Sequence, residues 1–272
     1  MIQYPHCKIN LGLSIVAKRP DGFHDLETVF YPVALKDILE INPAKNKELT
    51  TFSHSGLSIP GDSNNNLSLK AYHLLKLDFP ALPEIQMHLH KIIPMGAGLG
   101  GGSSDGTFAL IILNALFKLG LHQDQLLMYA EKLGSDCPYF LFDGPCHATG
   151  KGELLSPIQL DLSNYQFVLI HPGIHIATPW AFQQIHPCKK GHSNSDIIQQ
   201  PIHTWKQNLV NDFEAPVIQS HPIIGELKND LYQQGAIYAS MTGSGSSLYG
   251  IFEKDKKYHT TKLTHNIRID TI

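Results

Sequence analysis

Long hydrophobic runs are missing from this sequence. The most apolar stretch, Phe108 to Phe117, includes Asn114 and is about half the ~20 residues that a membrane span needs, so no membrane partner is expected. The first residues, Met1 to Asn10, show no basic region followed by an apolar one, and no secretory leader is read there. Charge is sparse and balanced: 17% of residues are charged, 21 basic against 24 acidic, for a net −3. Nucleic acid and anionic membrane surfaces both call for a concentrated positive field, so neither is expected as a partner. Lys254, Lys256 and Lys257 alternate with Glu253 and Asp255 and read as the start of a solvated helix.

Cysteine is scarce too. Cys7, Cys137, Cys146 and Cys188 show no CxxC spacing, which excludes a zinc site of that type and a disulfide framework. Reduced thiols in a cytoplasmic protein are expected. The 16 histidines contain no HExxH. His88 and His90 alternate with Ile85, Met87 and Leu89, the period of a half-buried strand with its histidines on the wet face, and not of a metal pair.

What is present is a globular composition: 272 residues, 42% of them hydrophobic, enough for about two domains. Ser156-Pro157 marks the expected boundary, giving an N-terminal domain over 1–157 and a C-terminal domain over 158–272. Strands are read at 9–16 and 26–33 around the turn Arg19-Pro20-Asp21-Gly22, and at 37–41, before the polar stretch Asn42 to Glu48. A helix follows, capped by Asn65 or Asn66, with Leu67, Ala71, Leu74, Leu75 and Phe79 at helical spacing. Further on come a strand at 84–93, helices at 104–119 and 124–133, and a hairpin at 146–155 through Gly150 and Gly152. The C-terminal part reads as a strand at 167–171, a helix at 179–185, a loop at 187–200 and helices at 203–210 and 222–234. A strand–loop–strand over 237–252, a final helix and a strand at 267–269 close the chain. Strands and helices come in blocks, which favours α+β over a parallel α/β sheet.

The most informative segment is Pro94-Met95-Gly96-Ala97-Gly98-Leu99-Gly100-Gly101-Gly102-Ser103-Ser104. Its glycines let the backbone turn tightly and approach a ligand closely. The loop opens a helix whose first N–H groups are unpaired and whose dipole end is positive, a setting that suits phosphate. Ser103 and Ser104 add hydroxyls, and Ser104 doubles as the expected N-cap. No lysine follows the glycines, so this is not a P-loop. Gly96-x-Gly98-x-x-Gly101 matches the dinucleotide fingerprint only formally, because a second helix stands where that fingerprint requires a strand.

These residues resemble the GHMP small-molecule kinases. Lys8-Ile9-Asn10-Leu11 is similar to their first motif, the loop from Pro94 to Ser104 to their second, and Thr242-Gly243-Ser244-Gly245 to their third. Asp21-Gly22-Phe23-His24, Leu133 to Pro138, Gly150 to Leu154, His171-Pro172-Gly173 and Thr178-Pro179 resemble one branch, whose substrate is a cytidine-diphosphate-linked methylerythritol. The resemblance implies an N-terminal domain like domain 2 of ribosomal protein S5, a ferredoxin-like C-terminal domain, and substrates meeting in the cleft between them. It implies ATP-dependent phosphorylation of the 2-hydroxyl of the methylerythritol, a step of the non-mevalonate isoprenoid pathway. ATP and Mg²⁺ are the implied nucleotide and metal, the metal's ligands being unknown. A monomer and a homodimer are both compatible.

On the same resemblance Asp136 is the catalytic aspartate, accepting the proton of a poorly nucleophilic tertiary alcohol; capping the break at Gly134-Ser135 is its structural alternative. Lys8 would keep that aspartate ionised, or else be an edge lysine with a buried stem. Phe23 would stack on cytosine and His24 would bond the pyrimidine edge. Asn10, on the strand face of Lys8, would bind the diol or diphosphate. Thr178 and Phe182 would close the cytosine pocket, with Trp180 competing for the second stacking position. Core packing is the alternative for Phe23 and Phe182.

Three features depart from the family pattern. His6-Cys7 precede Lys8, and His6 is read as peripheral. Gly106 in the first helical turn costs up to ~1 kcal/mol relative to Ala. Asp105 would repel an adjacent ATP phosphate unless Mg²⁺ lay between them. Two competing readings remain: a homoserine or mevalonate kinase, for which a cytosine pocket is needless, and a non-catalytic nucleotide-binding protein, against which Lys8 and Asp136 both speak.

Overall fold

The computed structural model describes residues 1–45, 49–188, 190–261, 263 and 267–272. From the N-terminus run β1 (Ile2–Gln3), β2 (His6–Lys18), β3 (His24–Lys36), β4 (Ile38–Pro43) and β5 (Thr51–Gly56). Then come α1 (Leu67–Asp78), β6 (Ile85–Lys91), α2 (Gly101–Leu116), α3 (Gln123–Leu133), β7 (Cys146–Thr149) and β8 (Leu154–Pro157). The remainder is β9 (Tyr165–His171), α4 (Thr178–Gln183), α5 (Asn194–Ile197), α6 (Trp205–Asn208), α7 (Glu214–Ser220), α8 (Pro222–Gln233), β10 (Tyr238–Met241), β11 (Leu248–Glu253) and β12 (Arg268–Thr271). The class is α+β. No described helix is long and apolar enough to cross a membrane.

Two compact units form, each from separate stretches of chain. The first unit comprises Met1–Cys7, Ala34–Met95 and Gly100–Asp143. Its sheet has the order β1-β4-β6-β5, with β6 antiparallel to β4 and parallel to β5. Along β6 the buried Ile85, Met87 and Leu89 alternate with half-buried Gln86, His88 and His90, as the period-two pattern predicts. His88 and His90 bond to Ser53 and Ser55 of β5. Leu39, Ile41, Met87 and Leu89 pack against Tyr72 and Leu75 of α1, Leu110 and Leu113 of α2 and Ala130 of α3; burying such side chains stabilises by roughly 1.5–3 kcal/mol each. α1 begins where Asn66 accepts the N–H of Ser68 at 2.9 Å, the cap expected from sequence. Gly106 has a packing reason: a Cβ there would stand 2.8 Å from Leu67 Cβ, so its absence lets α2 approach α1. His6 is not peripheral. Its ring packs on Phe108 and Phe140, and burial lowers its pKa.

The second unit comprises Lys8–Val33, Gly96–Leu99 and Gly144–Ile272, so residues 8–33 and 144–157 gather with the C-terminal stretch. It holds most of the sheet β2-β3-β7-β8 and all of the antiparallel sheet β10-β11-β9-β12. Val217, Ile224, Leu227 and Leu231 of α7 and α8 form a core with Val168, Ile170, Ala239, Leu248 and Phe252. β2 carries Gly12 at φ +67°, where a Cβ would lie 2.5 Å from Asn194 Oδ1.

Four elements were not legible, among them α5, which falls inside the stretch read as a loop over 187–200. β1 has two residues. β5, Thr-Phe-Ser-His-Ser-Gly, has no apolar alternation, and α7 carries Pro216. The expected helix at 203–210 contracts to a 3₁₀ turn and α6. After Glu253 the described residues hold no helix, and 262 and 264–266 lie outside them, as do 46–48 of the polar stretch and Lys189 of the 187–200 loop.

Candidate active site

The glycine-rich loop spans both units in sequence: Gly96–Leu99 gather with the second, and the flanks with the first. Gly96, Gly98 and Gly100 all have positive φ, the backbone region that other residues adopt only with strain. Gly100, at φ +70°, is the N-cap of α2, and no side chain caps that helix. This corrects the expectation for Ser104. The αL turn at Gly100 starts the helix three residues earlier, and Ser104 becomes an interior residue whose buried hydroxyl has no hydrogen-bond partner. Ser104 N–H already donates to Gly100 O at 2.9 Å, so the N–H groups of Gly101, Gly102 and Ser103 have no helical acceptor. Ser103 turns its hydroxyl to the Cys137 thiol, which burial pushes up to about 11.

The glycines are not equivalent. A Cβ on Gly101 would stand 2.7 Å from Ile93 Cγ2, so a side chain there disturbs the core. A Cβ on Gly98 would run into the Thr242 carbonyl, and one on Gly243 would come within 3.0 Å of Gly98 Cα. The second and third motifs therefore meet backbone to backbone within the second unit. Gly102 has no such reason: its φ is not positive, and a Cβ would touch only Met95 Cε, at 3.7 Å. Gly102→Ala is accordingly expected to keep or raise the melting temperature, since Ala exceeds Gly by up to ~1 kcal/mol in a helix. ATP affinity should fall about tenfold, or ~1.4 kcal/mol, because the methyl occupies the approach to the open N–H groups. Calorimetric ATP titration beside a thermal melt checks this; unchanged ATP binding would mean that the phosphates lie elsewhere.

Lys8 and Asn10 sit side by side on β2. Buried Lys8 donates from Nζ to Asn10 Oδ1 at 2.8 Å, and its ammonium lies 4.7 Å from the Phe30 ring centroid. It is thus a buried cation, which sets aside the edge-lysine alternative. Asn10 is committed inward. Its Oδ1 also faces Thr242 Oγ1 at 3.2 Å and accepts Gly243 N–H at 3.0 Å, and its Nδ2 donates to Thr28 Oγ1 at 3.0 Å. These bonds make Asn10 a junction that ties the lysine to the third motif. Thr242 Oγ1 in turn reaches Gly98 O at 3.1 Å. Two residues unmarked in the sequence support this junction. Asn211 Nδ2 donates to Met241 O at 2.8 Å and Gly243 O at 2.9 Å, and Tyr249 OH donates to Asn10 O at 2.8 Å. Neither belongs to a motif, so no sequence signal pointed to them.

Asp136, in the first unit, precedes the 3₁₀ turn Cys137–Leu141 and makes no side-chain capping bond to that turn. Its segment is anchored to α2: Thr107 Oγ1 donates to Cys137 O at 2.8 Å. Asp105 is buried against Lys91, at 2.7 Å.

At the β2–β3 turn Phe23 is 58% exposed, so core packing does not explain it. Asp21 holds the turn by accepting Phe23 N–H at 3.1 Å, and Lys151 lies 5.0 Å from the ring centroid. His24 stacks on Phe182, with centroids 4.8 Å apart and planes at 19°. Phe182 is seated edge-on against Phe213 at 4.9 Å, while Trp180 packs edge-on against His221. Phe182 and not Trp180 therefore joins the His24 stack, and the stack leaves no space for a base between those two rings. Exposed Thr178 pairs its hydroxyl with Ser244 of the third motif at 3.1 Å.

Comparison with known proteins agrees with these motifs. The family profile "GHMP kinases N terminal domain" matches residues 66–144, and "GHMP kinases C terminal" matches residues 195–259. The 4-diphosphocytidyl-2-C-methyl-D-erythritol kinase of Bacteroides thetaiotaomicron is 51% identical, covering 94% of this chain and 93% of its own. That of Cytophaga hutchinsonii is 47% identical over 98% of each. A crystal structure of 4-(cytidine 5'-diphospho)-2C-methyl-D-erythritol kinase aligns with TM-score 0.79 and 30% identity, covering 92% of this chain and 90% of its own. Homoserine kinase of Cytophaga hutchinsonii, at 16% identity and TM-score 0.64, covering 98% of this chain and 94% of its own, shares the fold alone.

Proposed function

The chain belongs to the 4-diphosphocytidyl-2-C-methyl-D-erythritol kinases of the GHMP family, and on that premise we propose how its residues divide the work. The reaction is ATP-dependent phosphorylation of the substrate's 2-hydroxyl, giving the 2-phosphate and ADP, within the non-mevalonate isoprenoid pathway. Phosphoryl transfer asks a protein mainly for positioning and charge stabilisation. The open N–H groups of Gly101, Gly102 and Ser103 receive ATP phosphate oxygens, with Pro94 to Leu99 shaping the approach. Asp136 accepts the proton as the substrate oxygen attacks the γ-phosphorus. Lys8 supplies positive charge to the reacting groups, and Asn10 with Thr242 fixes where that charge stands.

Mg²⁺ fits this scheme as a companion of ATP. Among the described residues no group of three or more His, Cys, Asp or Glu forms a cage, and Asp105 is already taken by Lys91. A magnesium ion held mostly by nucleotide oxygens and water, neutralising phosphate charge, needs no such cage. The domain division at 157/158 is part of the proposal, supported by family matches lying on either side of it. So is a cytoplasmic setting, where four cysteines outside any disulfide persist as thiols.

The observation that carries the substrate assignment is exposed Phe23 beside the His24–Phe182 stack. An aromatic surface of this kind takes a base; homoserine and mevalonate have none to offer. We assign cytosine to the face of Phe23 and its polar edge to His24. Base–aromatic stacking contributes ~1–3 kcal/mol in single-strand binders, so Phe23→Ala should raise the substrate Kd by about 5- to 150-fold with ATP affinity unchanged. His24→Ala should relax discrimination between cytidine and uridine substrates, since a hydrogen-bonding site rejects the wrong edge by leaving polar groups unpaired. Calorimetry with both nucleotides on both variants is the check. A Phe23→Ala protein that loses ATP and keeps the cytidine substrate would overturn the pocket.

A further inference from the structure

Beneath the glycine-rich loop lies a buried ion cluster that the assignments above leave unused. Lys91, the last residue of β6, places Nζ 2.5 Å from Asp37 Oδ2 and 2.7 Å from Asp105 Oδ2, and all three side chains are buried. The other oxygen of Asp37 accepts the N–H groups of Ile92 at 2.5 Å and Ile93 at 2.8 Å, the two residues that lead into Pro94. Asp105 stands near the start of α2, on the far side of the loop. One cluster therefore grips both ends: the strand entering the loop through Asp37, the helix leaving it through Asp105, and Lys91 between them. Gly101 closes over the cluster, since a Cβ there would come within 3.0 Å of Lys91 Nζ.

The charge count is informative. One cation between two ionised carboxylates would leave a net negative charge buried under a loop that must accept a polyanion. Burial holds the Asp105 carboxyl well above the usual carboxylate range, against the pull of Lys91. Its Oδ1 has no hydrogen-bond partner, which is costly for an ionised oxygen in a dry site and cheaper for a neutral carboxyl.

We propose that Asp37, Lys91 and Asp105 form a clamp that fixes the N-terminus of α2 against the end of β6 and so places the N–H groups that receive ATP, with Asp105 serving as a neutral hydrogen-bonding group. The proposal rests on the reading of this loop as the ATP site. These three are positioning residues, remote from the transferred phosphoryl group. Asp105→Asn keeps an acceptor for Lys91 and puts an amide where Oδ1 now stands alone, so it should preserve ATP affinity, the KM for ATP and kcat. Asp105→Leu removes the link to Lys91. A misplaced phosphate cradle should then weaken ATP about 10- to 100-fold, while the Kd for the cytidine substrate stays unchanged.

The experiment is calorimetric titration of wild type and both variants with ATP and with the cytidine substrate, beside steady-state kinetics and a thermal melt. Where the leucine variant does not fold, Asp105→Ser, too short to reach Lys91, replaces it. ATP affinity unchanged in the folded leucine or serine variant would reduce the clamp to a purely structural ion cluster and overturn the proposal. Asp105→Asn weakening ATP as much as Asp105→Leu would overturn the neutral state. Failure of wild type to bind ATP would instead overturn the loop assignment on which the clamp depends.

Discussion

Asp136→Asn is expected to fold as the wild type does and to lose turnover by about 10²–10⁴, the usual contribution of a general base. Folding should survive because asparagine keeps the size and shape of the side chain, and the segment is also held through the Cys137 carbonyl, which Thr107 binds at 2.8 Å. The loss of the carboxylate should then appear in kcat with small changes in the KM for either substrate. Steady-state kinetics on a variant with a native melting temperature decides the matter. Turnover near that of the wild type would remove Asp136 from the chemistry.

Gly98→Val is expected to damage nucleotide binding and turnover together. Valine at φ +77° adds backbone strain of about 1–3 kcal/mol, and its Cβ would run into the Thr242 carbonyl, so the two loops cannot keep their contact. Thr242 and Gly243 both bond the Asn10 carboxamide oxygen that receives Lys8. Displacing the third motif thus reaches the Lys8 side chain, to which we give the charge-supplying role. ATP affinity should fall roughly 10- to 100-fold, as expected when binding groups shift by about an ångström, and kcat should fall with it. Gly102→Ala, which meets no such contact, should affect ATP binding while leaving kcat at saturating ATP near wild type. Equal kcat losses in the two variants would contradict the loop-on-loop junction.

The three motifs were legible because their chemistry lies in short contiguous runs: a glycine-dense loop before an apolar helix, a lysine in an apolar strand, a second glycine turn. What lay between distant residues was not legible. Ser104 has the composition of an N-cap, yet Gly100 can adopt the αL turn at less cost and takes the position. Asn10 looks like a substrate ligand from its place beside Lys8. Only the structure shows its oxygen engaged by residues more than two hundred positions away. Asp105 looks like a phosphate neighbour from its place in the loop, but its partner Lys91 closes the preceding strand. The choice of Phe182 over Trp180 depends on which face of a short helix meets His24. β5 was missed because a strand held by backbone pairing and serine–histidine bonds shows no hydrophobic period.

The central claim is that this chain transfers a phosphoryl group from ATP to a cytidine-diphosphate-linked methylerythritol. It is tested most directly by a coupled assay of ADP release, with that substrate, homoserine and mevalonate supplied separately to the wild-type protein. The account predicts saturable ADP release with the cytidylylated methylerythritol and none above background with the other two. ADP release driven by homoserine or mevalonate, with the cytidine compound inert, would contradict it.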